Sequence, residues 1–314
     1  MTRVRHYAEY LAGLFVGYAM RPLPRRARLA LGRTTGGIVF ALDAKHRAVT
    51  LSNLDFAFGS NKTADEKYAI ARGAFRHFGA MFFELISFGK PRWEKKLQKI
   101  VEFEGIENFE RAKRAGKGVL LVGSHFGNWE LHGIAHGYRH GPIAVVARVQ
   151  DNPHFNEWLE EIRTAGGNTV LYKERALQRV MRMMKDGESV AVITDQNVSN
   201  EDAVFIDFFG RKAATTPVAS WIALKTGAAL VPAFALPLAD GRYRMIYEKP
   251  IYPSAYKNMD RRRAIELLTQ QCAEVQEGYV RRNPEFWLWQ HRRWNTRPPE
   301  ERGGQASVPE EEAS

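Results

Sequence analysis

A chain of 314 residues with 45% hydrophobic and 26% charged residues can bury one large core; it is neither a disordered composition nor that of a multi-pass membrane protein. Its 46 Lys and Arg against 35 Asp and Glu give +11 at pH 7, which favours anionic partners such as phospholipid, nucleic acid or an acidic carrier protein. The single cysteine, Cys272, excludes an intramolecular disulfide and a cysteine-only metal site, and its amphipathic helical setting reads as packing rather than as a nucleophile.

In chain order, a basic start is followed by an apolar run at 11–20 and then by the arginines between Arg21 and Arg28. No small-residue cleavage site precedes Arg21, and the run falls short of the ~20 apolar residues of a spanning helix. The expectation is a helix that lies in or dips into the cytoplasmic leaflet, with the arginines on anionic headgroups. Residues 63–88 read as an amphipathic helix opened by a Thr63–Glu66 capping box. Its stripe of Phe75, Phe78, Phe82 and Leu85, broadened by Met81 and Phe83, is either core or the wall of an acyl-chain groove.

From Lys117 short apolar runs alternate with helical patterns. Strands are predicted at 118–123, 143–147, 169–172, 190–194 and 230–236, with helices at 128–138, from Asp151-Asn152-Pro153 to Gly166, at 175–185 and at 217–226. Asp240-Gly241 signals a hairpin, so 243–248 returns antiparallel, and 260–280 is a long helix. The fold class is therefore α/β, a mainly parallel mixed sheet flanked by helices. Arginine clusters at 261–263 and 281–293, the latter with Trp287, Trp289 and Trp294, suit a membrane interface, single-stranded nucleic acid or a plain solvated helix face. The acidic segment after residue 299 has almost no large apolar residues and should be disordered. The expected division is a membrane-associated helix and basic flank at 1–30, a catalytic domain at 31–298 and a tail at 299–314.

Functional groups in open α/β sheets gather beyond the carboxyl ends of strands, and His125, Arg148 and Asp195 each follow a separate apolar run. His125 falls in a strand-to-helix turn and Glu130 about one turn into the helix. A neutral imidazole there can take a proton from an attacking alcohol, while a carboxylate on its other nitrogen fixes the tautomer. Competing chemistries are weaker. Ser124 lacks the Gly-x-Ser-x-Gly elbow. His132, His136 and His140 share a helix face, but no second ligand pair accompanies them. No glycine fingerprint or P-loop follows any strand, so no nucleotide cofactor is indicated.

The segment His125-Phe-Gly-Asn-Trp-Glu130 resembles the H-x4-D/E signature of glycerolipid acyltransferases, and more closely the bacterial lipid A biosynthesis acyltransferase family. The resemblance extends through Asp151-Asn-Pro153, Asp195-Gln196, Phe208-Phe-Gly210 to Thr215-Thr-Pro217, Ala228-Ala-Leu-Val-Pro232 and Pro284 to Arg293. It implies an O-acyltransferase at the cytoplasmic face of the inner membrane of a Gram-negative-type cell, using neither metal nor cofactor. The implied partners are an acyl carrier protein thioester as donor, an anionic lipid acceptor and the membrane surface, without nucleic acid. His125 would be the base and Glu130 its orienter. Arg163 would bind a phosphate or the developing oxyanion, and Asp195 would orient that cation or His125. Asn128, Arg148 and Thr216 would contact substrate, although Arg148 could equally pair with Glu157 or Glu160.

Overall fold

Runs such as Val119 to Val122 and Leu230 to Val231 carry no polar alternation, the pattern of strands covered on both faces. The computed structural model, which describes residues 5–7, 9–11, 13, 19–20, 22–85, 93–199, 201 and 203–301, places them at the centre of a seven-stranded sheet. From residue 25 onward the chain forms the helices α1 (Arg25–Leu42), α2 (Ala44–Phe58) and α3 (Ala64–Leu85). Then follow α4 (Trp93–Ile100), β1 (Val101–Glu104), α5 (Ile106–Arg114), β2 (Val119–Gly123), α6 (Trp129–His140), β3 (Ala144–Ala147), α7 (Pro153–Arg163), β4 (Thr169–Tyr172), α8 (Lys173–Lys185) and β5 (Ser189–Ile193). A hairpin of β6 (Val204–Phe208) and β7 (Arg211–Thr215) precedes α9 (Val218–Thr226), β8 (Ala229–Pro237), β9 (Tyr243–Tyr247) and α10 (Arg261–Arg282).

The sheet order is β1-β9-β8-β2-β5-β3-β4, and every pairing is parallel except β8 with β9. The expected mainly parallel mixed sheet and its antiparallel return after Asp240-Gly241 are thus present. One face is packed by Leu131, Ile134 and Ala135 of α6 with Phe109 and Ala112 of α5, and by Met81 and Leu85 at the end of α3. The other is packed by Val180 and Met184 of α8, Ile222 and Ala223 of α9 and Leu268 and Cys272 of α10. A third cluster, rich in aromatics, joins α2 and α3 to the β6–β7 hairpin and to the segment after α10.

The Thr63–Glu66 capping box forms as expected: the Thr63 amide donates to Glu66 at 2.7 Å and the Glu66 amide to the Thr63 hydroxyl at 3.2 Å. The same helix meets α1 backbone to backbone. A Cβ on Gly36 would lie 2.1 Å from the Phe75 carbonyl oxygen and one on Gly79 2.2 Å from that of Gly32, so only glycine allows this crossing. The expected boundary after residue 30 falls inside α1.

Other expectations need correction. Trp287, Trp289 and Trp294 are not an interfacial belt but core, no more than 4% exposed, and Arg293 is buried with them. Two of the N-terminal arginines bond within the protein: Arg25 Nε donates to the buried Glu84 at 2.5 Å, and Arg28 to the Leu23 carbonyl at 2.7 Å. No helix among the described residues is long and apolar enough to cross a membrane. Most of the apolar run at 11–20, residues 86–88 of the expected helix and residues 302–314 of the expected tail lie outside the described residues. The apolar patterning did not mark β1 or the β6–β7 hairpin, β1 because half of its four residues are glutamates.

Candidate active site

Strand register assembles the site. In the parallel pair β2–β5, Gly123 lies opposite Ile193, and His125 and Asp195 each stand two residues further on, so their side chains meet beyond adjacent strand ends. His125 Nδ1 is 2.8 Å from Asp195 Oδ1, while the His125 amide donates to Asp195 Oδ2 at 2.8 Å. The Trp287 indole N–H donates to that same Oδ2, also at 2.8 Å. Burial alone would raise the Asp195 carboxyl, but the charge and hydrogen bonds of His125 and the Trp287 donor outweigh it and hold the carboxyl below the ordinary carboxylate range. A carboxylate on Nδ1 leaves Nε2 as the nitrogen that can accept a proton.

The turn carrying His125 is fastened from two sides. Gly127, at φ +62°, sits so close to β8 that a Cβ would fall 1.7 Å from the Ala235 carbonyl oxygen. The Leu288 amide donates to the His125 carbonyl at 3.1 Å and the Gly127 amide to that of Phe286 at 2.8 Å, so the segment after α10 acts as a strap. Trp129 stands edge-on to the His125 ring at 5.0 Å.

Glu130 does not bond to His125 as the sequence suggested. Both of its oxygens are taken by Arg163, whose Nε and a terminal nitrogen donate at 2.8 and 2.5 Å. The reason is helical geometry: Glu130 lies in the first turn of α6 and Arg163 in the last turn of α7, where each charge suits its helix end, and the two ends adjoin. The imidazole is held by the acid of the neighbouring strand instead.

His125, Glu130, Arg163 and Arg148 all line one cavity of about 330 Å³, together with Gln150, Lys173 and Gln196. Arg148 pairs with Asp151 at 2.9 Å, neither Glu157 nor Glu160. Asn128 and Thr216 are not among the lining residues. Asn128 is buried and caps α6, accepting from the Leu131 amide at 3.1 Å; the Thr216 hydroxyl accepts from the Val218 amide at 3.4 Å, at the start of α9. Ser124 also faces this cavity, though its hydroxyl is buried. Cys272 is core, and burial pushes its thiol up to about 12, which keeps it from acting as a thiolate.

A model of the family described as bacterial lipid A biosynthesis acyltransferase matches residues 1–296. The chain belongs to this family and is an acyltransferase. It is similar to the lipid A biosynthesis palmitoleoyltransferase of Escherichia coli (strain K12), 27% identical over 91% of this chain and 90% of that protein. It is also similar to the lipid A biosynthesis lauroyltransferase of the same strain, 24% identical over 95% of each chain. A phosphatidylinositol mannoside acyltransferase of Mycobacterium tuberculosis (strain CDC 1551 / Oshkosh) is 24% identical over 48% of each chain.

Within this acyltransferase, sequence reasoning assigned no role to Trp287. It stands in irregular backbone with no period to show which side is inward, so only the density of tryptophan after Pro284 marked the segment. Trp287→Phe keeps an aromatic ring and removes the donor. Asp195, relieved of one hydrogen bond, then stabilises the imidazolium more strongly, and the acid limb of kcat/KM is expected to move to higher pH. A pH profile with the limb unmoved would contradict this.

The histidines of α6 are packing groups. His132 and His136 are buried against Tyr247, with His136 Nδ1 2.8 Å from its hydroxyl, and His140 meets the ring of Phe103 edge-on. Among the described residues no group of three or more His, Cys, Asp and Glu could hold a metal ion. Burial pushes His132 down to about 4 and His136 to about 2 from the ordinary 6.5. Each is neutral when folded and takes up a proton on unfolding below pH 6.5, so the unfolded state binds more protons there. Stability is expected to be full above pH 7 and to fall as the pH drops from 6.5 toward 4. Urea midpoints measured across that range check it; a flat profile would show that other groups compensate.

Proposed function

We propose that this acyltransferase moves a fatty acyl chain from an acyl carrier protein thioester to a hydroxyl of a lipid A precursor of the Kdo2-lipid IVA type, at the cytoplasmic face of the inner membrane. The observation that carries the chemistry is the His125–Asp195 pair, whose imidazole lines the cavity while the carboxylate is buried behind it. His125 Nε2 takes the proton of the acceptor hydroxyl as its oxygen attacks the thioester carbonyl. Asp195 holds the imidazole in the required tautomer and balances the imidazolium that forms. The tetrahedral intermediate collapses with loss of the carrier thiolate, which takes the proton back from His125 to leave an ester and a free thiol.

Arg163, kept in place by Glu130, is a largely buried cation of the site, suited to the developing oxyanion or to a phosphate of the acceptor. Arg148 and Lys173 add positive charge at the same cavity for anionic substrate groups. In this reading Glu130 is a positioning residue for Arg163, and Asp195 is the orienter of the base. Support for the acceptor comes from the lipid A enzymes to which the chain is similar over nine-tenths of its length.

A second reading keeps the chemistry and changes the acceptor to another glycolipid, an aminolipid or a lysophospholipid; the partial likeness to a phosphatidylinositol mannoside acyltransferase favours it. Lipid A from a strain lacking the gene separates the two. Loss of the mature species in favour of one lighter by a single acyl chain supports the first reading, and an unchanged lipid A mass profile rejects it. Purified protein with defined acyl carrier thioesters and a tetra-acyl precursor should form the penta-acyl product directly.

A further inference from the structure

Two glycines near the middle of α6 differ in what holds them as glycine. A side chain at Gly137 would meet Asn168 Oδ1 at 2.6 Å and the Gly166 carbonyl oxygen at 2.8 Å, so the close approach of residues 166–168 requires glycine there. At Gly133 a Cβ would meet only the Val145 Cγ2 atom, at 3.8 Å, which is ordinary van der Waals contact. Glycine inside a helix sacrifices stability relative to alanine, and packing supplies no reason for it at this position.

The cavity supplies one. Gly133 stands three residues after Glu130, on the same face of α6, and lines the same cavity as His125. Its carbonyl accepts from Asn168 Nδ2 at 2.9 Å, which fixes this turn of the helix. The cavity wall around it includes Leu121 of β2, Ile134 of α6, Val145 of β3, Ala191 of β5 and Ala233 of β8. These are apolar and two are alanines; of the charged groups that line the same cavity, Glu130 and Arg163 are engaged with each other and Arg148 with Asp151.

We propose that Gly133 is a specificity-determining residue that sets how long an acyl chain the cavity accepts. The distal methylenes of the donor chain run along the wall to which Gly133 and Val145 both contribute, into which a side chain larger than alanine at 133 would intrude. This apolar stretch of wall suits a hydrocarbon, while Arg148, Arg163 and Lys173 of the same cavity are left for the anionic groups of the substrate. The inference rests on the acyl-transfer reading given above.

The test compares wild type, Gly133→Ala and Gly133→Leu as purified full-length proteins on a fixed lipid A precursor, with acyl carrier protein thioesters from octanoyl to hexadecanoyl. Gly133→Leu is expected to raise the octanoyl-to-tetradecanoyl ratio of kcat/KM by about tenfold or more, the scale on which apolar pockets discriminate chain length. Gly133→Ala, which fits without displacing Val145, should move the ratio the same way by less. An unchanged ratio in both variants, or a shift toward longer chains, overturns the inference while wild-type activity leaves the parent reading intact. If Gly133→Leu does not fold, the alanine variant decides by the same ratio. Wild type that uses no acyl carrier thioester overturns the parent reading and this inference with it.

Discussion

Asp195→Asn is expected to lower turnover about a thousandfold or more with the fold intact, and His125→Gln to lower it by a similar factor. The reason lies in where one ring holds its proton. Asp195 Oδ1 faces Nδ1 and its Oδ2 accepts from the His125 amide and the Trp287 indole. An asparagine retains the volume but not the charge, and presents an amide that can turn its N–H₂ toward the ring, favouring the tautomer with the proton on Nε2. That tautomer cannot take the acceptor's proton, and the effect of such a swap in a comparable His–Asp pair is about 10⁴ in turnover. Removing the imidazole itself removes general-base catalysis, on the order of 10²–10⁴. Initial rates on purified variants check both, with circular dichroism establishing that the fold persists; turnover within about tenfold of wild type for either variant would sink the assignment.

The second large effect concerns stability as much as rate. Glu130 and Arg163 are 8% and 15% exposed in their side chains and bonded through both carboxylate oxygens. Glu130→Ala leaves a largely buried guanidinium without its counter-charge, which costs about 3 kcal/mol in comparable sites. Turnover is expected to fall about a hundredfold as well, because a misdirected Arg163 no longer faces the oxyanion or phosphate. The double variant Glu130→Met/Arg163→Met should recover much of the lost stability, since no unpaired charge remains, but none of the lost rate. Denaturant midpoints of the single and double variants measure this. A double variant less stable than the single one would show that the pair contributes net stability of its own.

These effects depend on a pairing that local sequence could not show. His125 and Asp195 were legible as polar residues ending separate apolar runs, because continuous Val, Leu and Ile segments bounded by polar residues announce buried strands. That β2 and β5 are neighbours in the sheet, with Gly123 opposite Ile193, depends on strand order, and nothing within either segment encodes it. Glu130 looked like the partner of His125 because it is near in sequence. The helix start at Trp129, capped by Asn128, instead sends it to the end of α7.

The strap after α10 was harder still. Its tryptophans and Arg293 were open to an interfacial reading, since cations beside aromatics are common at membrane surfaces. Here Arg293 is buried, donating to the Ala214 carbonyl at 2.5 Å and to Thr215, and desolvation pulls its guanidinium down to about 10. Asn53 of α2 reaches the same strap, donating to the Trp289 and His291 carbonyls at 2.7 Å each. Irregular backbone satisfied by distant side chains has no period, so composition alone could not tell its inside from its outside.

The acid limb of the pH dependence of kcat/KM tests the central claim most directly, compared between Glu130→Gln and Asp195→Asn. With Asp195 as the group that stabilises the imidazolium, the limb should stay in place in Glu130→Gln, although the rate falls, and move to lower pH in Asp195→Asn, where that charge is gone. A limb displaced by Glu130→Gln and unmoved by Asp195→Asn would return the orienting role to Glu130 and contradict the account.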